Sequence, residues 1–338
     1  MVNKITHFLQ LSGFTWFVPM VKMASGESPK EQAKELWMVM GIPIVALIVF
    51  ILLWGQLSTK IVTSLGTIPG PADVYEQAVF LWQDHKAQRE KAAAFYDRQE
   101  KRNERYQEQG KLDRIKWREY TGAPTFIDQI YTSIKTVFMG FFLATIIAVP
   151  LGIFCGLSKT VNAAFNPIIQ IFKPVSPLAW LPIVTMVVSA TYITSDDSWF
   201  SKSFLNSAIT VTLCSLWPTL INTAVGVASI DKDLMNVGRV LQLGWFTKVT
   251  KLVLPSSLPL IFTGLRLSLG VGWMVLIAAE MLAQNPGLGK FVWDEFQNGS
   301  SQSLSKIMVA VLTIGIIGFL LDRLMFTLQG LFTFSDKR

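Results

Sequence analysis

The chain of 338 residues is 51% hydrophobic and only 16% charged, with a mean hydropathy of +0.42, which excludes an ordinary water-soluble domain. Its net charge of +7 comes with no zinc-finger or RNA-binding pattern, so no nucleic-acid partner is expected and the excess reads as basic loops on one side of a membrane. Cys155 and Cys214 each lie inside an apolar run as small hydrophobes, with no disulfide expected. His7 and His85 are isolated, so neither a metal site, a cofactor nor metal-dependent catalysis is expected.

Residues 1–36 read as an N-terminal cytoplasmic or interfacial segment. Within it, Ile5 to Met23 is aromatic-rich, too interrupted for a span and followed by no clear cleavage site, which predicts an interfacial amphipathic helix. Residues 37–57 are free of charge between Lys34 and Lys60 and predict the first transmembrane helix. Residues 58–125 predict a charged, helical, extramembrane insertion. It opens with the loop Gly66 to Pro71 and carries charge on every helical face from Asp84 to Glu119, with Asp97 and Lys101 paired at i,i+4. A solvated spacer is the expectation for it.

Residues 126–332 hold the remaining apolar blocks: Phe126–Leu157, Phe165–Tyr192, Phe204–Ile230, Pro255–Ala283 and Ile307–Phe332. With the first span they predict an all-α, polytopic membrane bundle of about six transmembrane helices, followed by a cytoplasmic tail, 333–338. The loop at Lys159 and the segment Lys232 to Lys251 are basic, whereas the loop at Asp196 and Asp197 is acidic. Basic loops stay in the cytoplasm, which puts both termini inside and the Asp196 and Asn285–Ser305 loops outside. The insertion then lies on the periplasmic side despite its basic residues, because long polar segments translocate largely regardless of charge.

Between the fourth and fifth spans lies 231–255, too polar to cross a membrane. Asp231 caps a helix on which Leu234, Val237 and Leu241 fall at i, i+3 and i+7. Gly244 is expected to permit a sharp reversal, Phe246, Val249 and Val253 to stripe a second short helix, and Pro255 to mark the start of the next span. An apolar stripe held at a membrane surface suits docking in a partner's groove.

The residues Val237-Gly238-Arg-Val, Gly244 and Leu254-Pro255 resemble the cytoplasmic loop of permeases of ATP-binding-cassette importers. Pro177-Leu-Ala-Trp180-Leu-Pro-Ile183, Leu216-Trp217-Pro-Thr-Leu-Ile-Asn-Thr223, Ile261-Phe-Thr-Gly-Leu-Arg266, and Trp273 through Ala278-Ala-Glu280-Met-Leu282 are similar to the nitrate, cyanate, bicarbonate, taurine and sulfonate subgroup, most of all the nitrate permeases. The resemblance covers about Phe126 to Asp322. It implies a type I importer permease fold in the bacterial inner membrane, a second permease chain in a homodimer, ATPase subunits docked under 231–255, and a periplasmic substrate-binding protein. This chain would be the non-catalytic subunit that forms the pathway for a small anion, with ATP hydrolysed on its partners. Gly287-Leu-Gly-Lys290 is similar to a fragment of a phosphate-binding loop but lacks its first Gly and its Ser/Thr, and reads as a turn.

Charged and aromatic residues inside spans are candidates for pathway or gating roles: Trp180, Trp217, Arg266, Trp273 and Glu280. Arg266 and Glu280, roughly 21 Å apart along one helix, cannot pair with each other. Arg266 offers potential to an anion, a structural ion pair or an interfacial snorkel, while Glu280 would repel an anion and reads as structural or gating. Lys135 and Lys173 read as snorkelling near span ends, and Asp322 and Arg323 as the inner end of the last span. A secondary anion transporter or channel is the rival reading, but no cluster of intramembrane acids supports it. A membrane-embedded enzyme lacks a nucleophile–base constellation.

Overall fold

A computed structural model describes residues 15–26, 28–63, 66–193, 200–300 and 302–332, together with Thr6 and Leu9. Most of the expected interfacial helix before Thr15, the Asp196–Asp197 loop and the tail 333–338 lie outside the described residues. Among the described residues the chain is all-α apart from one two-residue antiparallel pairing, β1 (Val62–Thr63) with β2 (Gly66–Thr67). Among them, five helical stretches are long and apolar enough to cross a membrane, and a sharply bent pair makes a sixth.

The short helices α1 (Val18–Ala24) and α2 (Pro29–Leu36) precede the first apolar stretch. A single i→i−5 turn, Trp37–Gly41, joins α2 to α3 (Ile42–Ser58). Leu47, Phe50, Leu52 and Leu57 are all exposed on α3, the pattern of a helix that is apolar on every side and meets lipid or another protein. Its far end is tied down where the Trp54 indole donates to the Pro69 carbonyl at 3.1 Å.

Pro71 opens α4 (Pro71–Glu108), a helix of 38 residues and roughly 57 Å. Its first turns pack Val74 and Leu81 into the main core, and Arg89 pairs with Asp128 at the start of the helix Phe126–Leu157. The long α-helix of the charged insertion ends at Glu108. Gly110, with φ of 67°, takes the left-handed conformation that stops a helix, and after a single 3-10 turn at Leu112–Arg114 the chain returns along α4 without regular secondary structure. Asn103 donates to the Lys116 carbonyl at 3.1 Å, Gln99 exchanges two bonds with the Arg118 backbone, and His85 meets Thr125 at 2.7 Å.

The bundle itself is α5 (Phe126–Leu157), α6 (Lys159–Phe172), α7 (Pro177–Thr191), α8 (Lys202–Ala228), α11 (Leu254–Ala283) and α13 (Ser303–Phe332). Side-chain caps start four of these: Thr125 with Asp128 in a capping box, Ser158, Ser176 and Ser201. The expected single span Phe165–Tyr192 is instead α6 and α7, bent by 102°. Pro174 and Pro177 flank the break: neither can donate to a helical ladder, and Pro177 fits the first position of a new helix. The expected loop Asn285–Ser305 contains a further helix, α12 (Leu288–Asn298), whose Leu288, Phe291 and Glu295 are buried at i, i+3 and i+7.

Helix α8 is the centre, flanked by α5 and α11. Every fourth residue of α5 along one face is small: Gly140, Ala144, Ala148, Gly152 and Gly156. A methyl at Gly152 would lie 2.8 Å from the Leu220 carbonyl oxygen and 2.6 Å from the Thr223 Cβ, so the two backbones touch directly. On the other side, a methyl at Gly264 of α11 would lie 3.0 Å from both the Pro218 carbonyl oxygen and the Thr219 Cα. Small residues at every fourth position permit this approach, which helix association in lipid relies on.

Replacing Gly152 by Val is expected to destabilise the detergent-solubilised chain by about 1–3 kcal/mol through overpacking. Gly315→Ala, where an added methyl meets nothing within 4 Å, leaves the thermal midpoint unchanged in the same melt.

Candidate functional site

Two regions combine residues unusual for a lipid-embedded bundle. One is the exposed segment between α8 and α11, and the other is the polar seam through the helices.

Asp231 caps α9 (Lys232–Val240) by accepting from the Asp233 amide at 2.8 Å. The segment is anchored inward by Leu252 and Val253, which are buried with Ile153 and Val227, and Leu254 packs against that cluster. Gly238 is buried too, and a methyl there would sit 3.3 Å from a Leu252 methyl. The opposite side is open: Leu234, Val237, Val240, Leu241, Trp245 and Phe246 are all exposed, Val240 at 82% and Phe246 at 73%. So large a run of apolar side chains on a polar, capped segment marks an interaction surface. Phe154 of α5 stacks on Trp245 at 5.6 Å and ties the segment to a second membrane helix.

One detail differs from the sequence expectation. Gly244 has φ of −58°, a conformation open to any residue, and precedes α10 (Trp245–Lys248). The left-handed position of the reversal is Gln242, with φ of 48°, and Leu241 lies on that turn just past α9. Pro255 lies in the first turn of α11, where the next span was expected to start. An i→i−5 turn, Val249–Val253, carries α10 into α11 without a break. Pro255 has no amide hydrogen to give the carbonyl four residues earlier, and the shifted turn just ahead absorbs the missing rung.

In the seam, α8 buries Asn206, Ser207, Thr210, Thr212, Ser215, Thr219 and Thr223. Ser268 of α11 accepts from the Thr219 amide at 3.1 Å and donates to the Ser215 carbonyl, so its hydroxyl bridges α8's own backbone beside Pro218. The five pathway candidates do not converge. Arg266 forms a two-pronged ion pair with Asp322 of α13, at 2.5 and 2.8 Å, and lies over the Phe326 ring. Trp273 is buried and donates to the Ile314 carbonyl at 3.0 Å. Both residues line a cavity of about 210 Å³ between α11 and α13. Trp180 and Trp217 lie elsewhere, both against Phe172, with Trp217 stacked on it and Trp180 tilted by 32°.

Glu280 is wholly buried at the far end of α11. Ser133 of α5 donates to its carboxylate at 2.7 and 2.9 Å, and the Gly289 amide at the start of α12 donates at 3.0 Å. Ser133 in turn accepts from the Leu288 amide at 2.8 Å. A carboxylate at a helix N-terminus satisfies amides that have no helical partner and meets the positive end of the dipole. Gly287 is required there because any side chain would collide with the Glu280 carboxylate. The Gly287-Leu-Gly-Lys290 turn is therefore a cradle for Glu280, and the Leu288, Phe291, Glu295 spacing was its signal in the sequence.

These features define a multi-pass α-helical membrane protein with an exposed apolar segment between α8 and α11. Residues 148–333, more than half of the chain, match the family described as binding-protein-dependent transport system inner membrane component, and the chain belongs to that family. It is 36% identical over 196 residues to a nitrate import permease protein of Synechococcus elongatus, a stretch covering 58% of this chain and 66% of that relative. It is 33% identical over 291 residues to a bicarbonate transport system permease protein of Synechocystis sp., covering 86% of this chain and 87% of the relative. A solved chain of the MetNI methionine ABC transporter in an inward-facing conformation aligns with a TM-score of 0.46 at 17% identity, covering 59% of this chain and 94% of that one.

Asp322→Ala, which leaves the Arg266 cation without its partner, is expected to lower the melting temperature, whereas the double change Arg266→Met with Asp322→Met is expected to leave it nearly unchanged. Thermal melts of the three proteins give both values. Glu280→Ala strips the acceptor from the Gly289 amide and Ser133, at about 1–3 kcal/mol for each group left unpaired, and is expected to release α12, read as protease sensitivity between Ala283 and Asn298.

Proposed function

We propose that the chain is the non-catalytic, membrane-spanning permease of an ATP-driven importer of the type I class, carrying a small anion inward, with nitrate as the anion. The observation that carries this reading is the apolar face of α9 and α10, exposed outward while the same segment is anchored inward through Leu252, Val253 and Leu254. A partner ATPase subunit docks on that face through Leu234, Val237, Leu241 and Phe246. ATP binding and hydrolysis belong to that partner, and a periplasmic binding protein delivers the anion.

The basic segment 232–251 and the Lys159 turn support a cytoplasmic docking end, with both termini on the same side. The α4 arm and α12 then face the periplasm. Two copies of the chain enclose the path. Nitrate and bicarbonate are both planar, singly charged oxyanions, which explains how one scaffold serves relatives named for each. The nitrate relative supports nitrate here.

The complex purified from native membranes is expected to retain an ATPase subunit. Val237→Asp and Phe246→Asp each place a charge in the docking face and are expected to lower that retention at least tenfold, as loss of an interface anchor does. Gly244→Ala is expected to retain the ATPase, since an added methyl meets nothing within 4 Å. In proteoliposomes, nitrate uptake that requires ATP supports the reading, and uptake that proceeds without ATP or any partner replaces it with a secondary transporter or channel.

A further inference from the structure

The break between α6 and α7 lies on the exposed side of the bundle, against α8. Phe172, the last residue of α6, stacks on Trp217 at 6.4 Å with the ring planes 6° apart. Trp217 lies 15 residues after Lys202 and 11 before Ala228 on α8, so about 22 Å and 16 Å from its two ends. In hydrocarbon about 30 Å thick, residues 173–176 are therefore inside the membrane and not at its surface. Lys173, expected near a span end, occupies this break.

The side chains at the break include no acid, although the last carbonyls of α6 also end there. Lys173 has no ion-pair partner among the described residues. The N-terminus of the 15-residue helix α7 opens at Pro177 directly after it, presenting the positive end of its dipole. The indole N–H groups of Trp180 and Trp217 are buried and have no acceptor among the described residues. Both rings lie against Phe172, Trp180 at 5.6 Å. No Asp or Glu occurs anywhere on α6, α7 or α8. A buried N–H without an acceptor is costly, and so is a cation inside a membrane. Both costs fall when an anion is present.

We propose that the α6–α7 break is an anion-binding station on the translocation path, where a small planar oxyanion accepts hydrogen bonds from the indoles of Trp180 and Trp217 and pairs with the Lys173 ammonium. Discontinuous membrane helices whose N-termini face an anion build such sites in other transport folds. The 102° bend makes 173–176 a hinge, and Phe172, carried on α6, is the cover that a rotation of α6 lifts from both indoles. The inference rests on the anion-import reading above.

The test uses the whole complex, this chain with its ATPase and binding protein, in proteoliposomes loaded with ATP. Trp180→Phe and Trp217→Phe keep the ring that stacks on Phe172 and lose only the N–H. Each is expected to lower nitrate uptake about tenfold, the value of a hydrogen bond to a charged group, with the loss appearing as a higher KM for nitrate. Lys173→Met is expected to lose as much, and Lys173→Arg to restore most of it. Complex assembly is read separately by size-exclusion chromatography, and the Lys173 pair decides the matter if an indole variant does not assemble. Wild-type uptake by the double indole variant, or by Lys173→Met, overturns the station while leaving anion import intact. A wild-type complex that moves neither nitrate, bicarbonate nor taurine overturns the import reading itself and the station with it.

Discussion

The close approach of α5 and α8 is the constraint from which the rest of the bundle follows. Lipid tails are as apolar as leucine, so hydrophobicity alone cannot hold two helices together in a bilayer. What remains is van der Waals contact and hydrogen bonding, and both require the backbones to come within reach. The stripe Gly140, Ala144, Ala148, Gly152, Gly156 supplies that reach. With α5 this near, the Thr212 hydroxyl donates at 3.1 Å to the Gly140 carbonyl as well as to its own helix. Two hydroxyls of α8 that would be liabilities facing lipid, those of Thr212 and Thr219, become cross-links to α5 and α11 once buried. Helix α11 repeats the solution on the other side through Gly264 and Ser268.

How much of this was legible in the sequence divides along the range of the interaction. The spans were legible because a bilayer imposes a length of apolar chain, and the docking segment because Leu234, Val237 and Leu241 repeat at a helical period beside an Asp cap. Contacts distant in sequence were not. Arg266 and Asp322 are 56 residues apart, and either an anion site or a structural pair is consistent with Arg266 alone; only the packing of α11 against α13 decides for the pair. The bend at 173–176 was hidden by composition, since α6 and α7 together have the length and hydropathy of one span. Pro174 and Pro177 were its local sign, but prolines also occur inside α5, α8 and α11 without breaking them. Gly244 was misread for a related reason: a glycine permits the left-handed conformation without requiring it, and Gln242 takes that role here.

Docking end and far end are connected by one piece of secondary structure. From Trp245 to Ala283 the helix is unbroken over 39 residues, roughly 58 Å, which exceeds the thickness of a hydrocarbon core. One end carries the exposed Trp245 and Phe246, and the other carries Glu280, which holds α5 through Ser133 and α12 through Gly289. Midway, Arg266 fixes α13 by its two-pronged bond to Asp322, and Ser268 fixes α8. A force applied at α10 therefore has no loop in which to dissipate along this rod. Ser268, Glu280 and Arg266 connect it to α8, α12 and α13. Between α6 and α7 the chain bends by 102° over four residues, where Lys173 follows the last turn of α6 and Ser176 caps α7. Under the importer reading, displacement of the rod is taken up there as relative motion of α6 against α7. In the proposed importer, that places the moving contact at Phe172, on the same two indoles whose N–H groups lack an acceptor among the described residues.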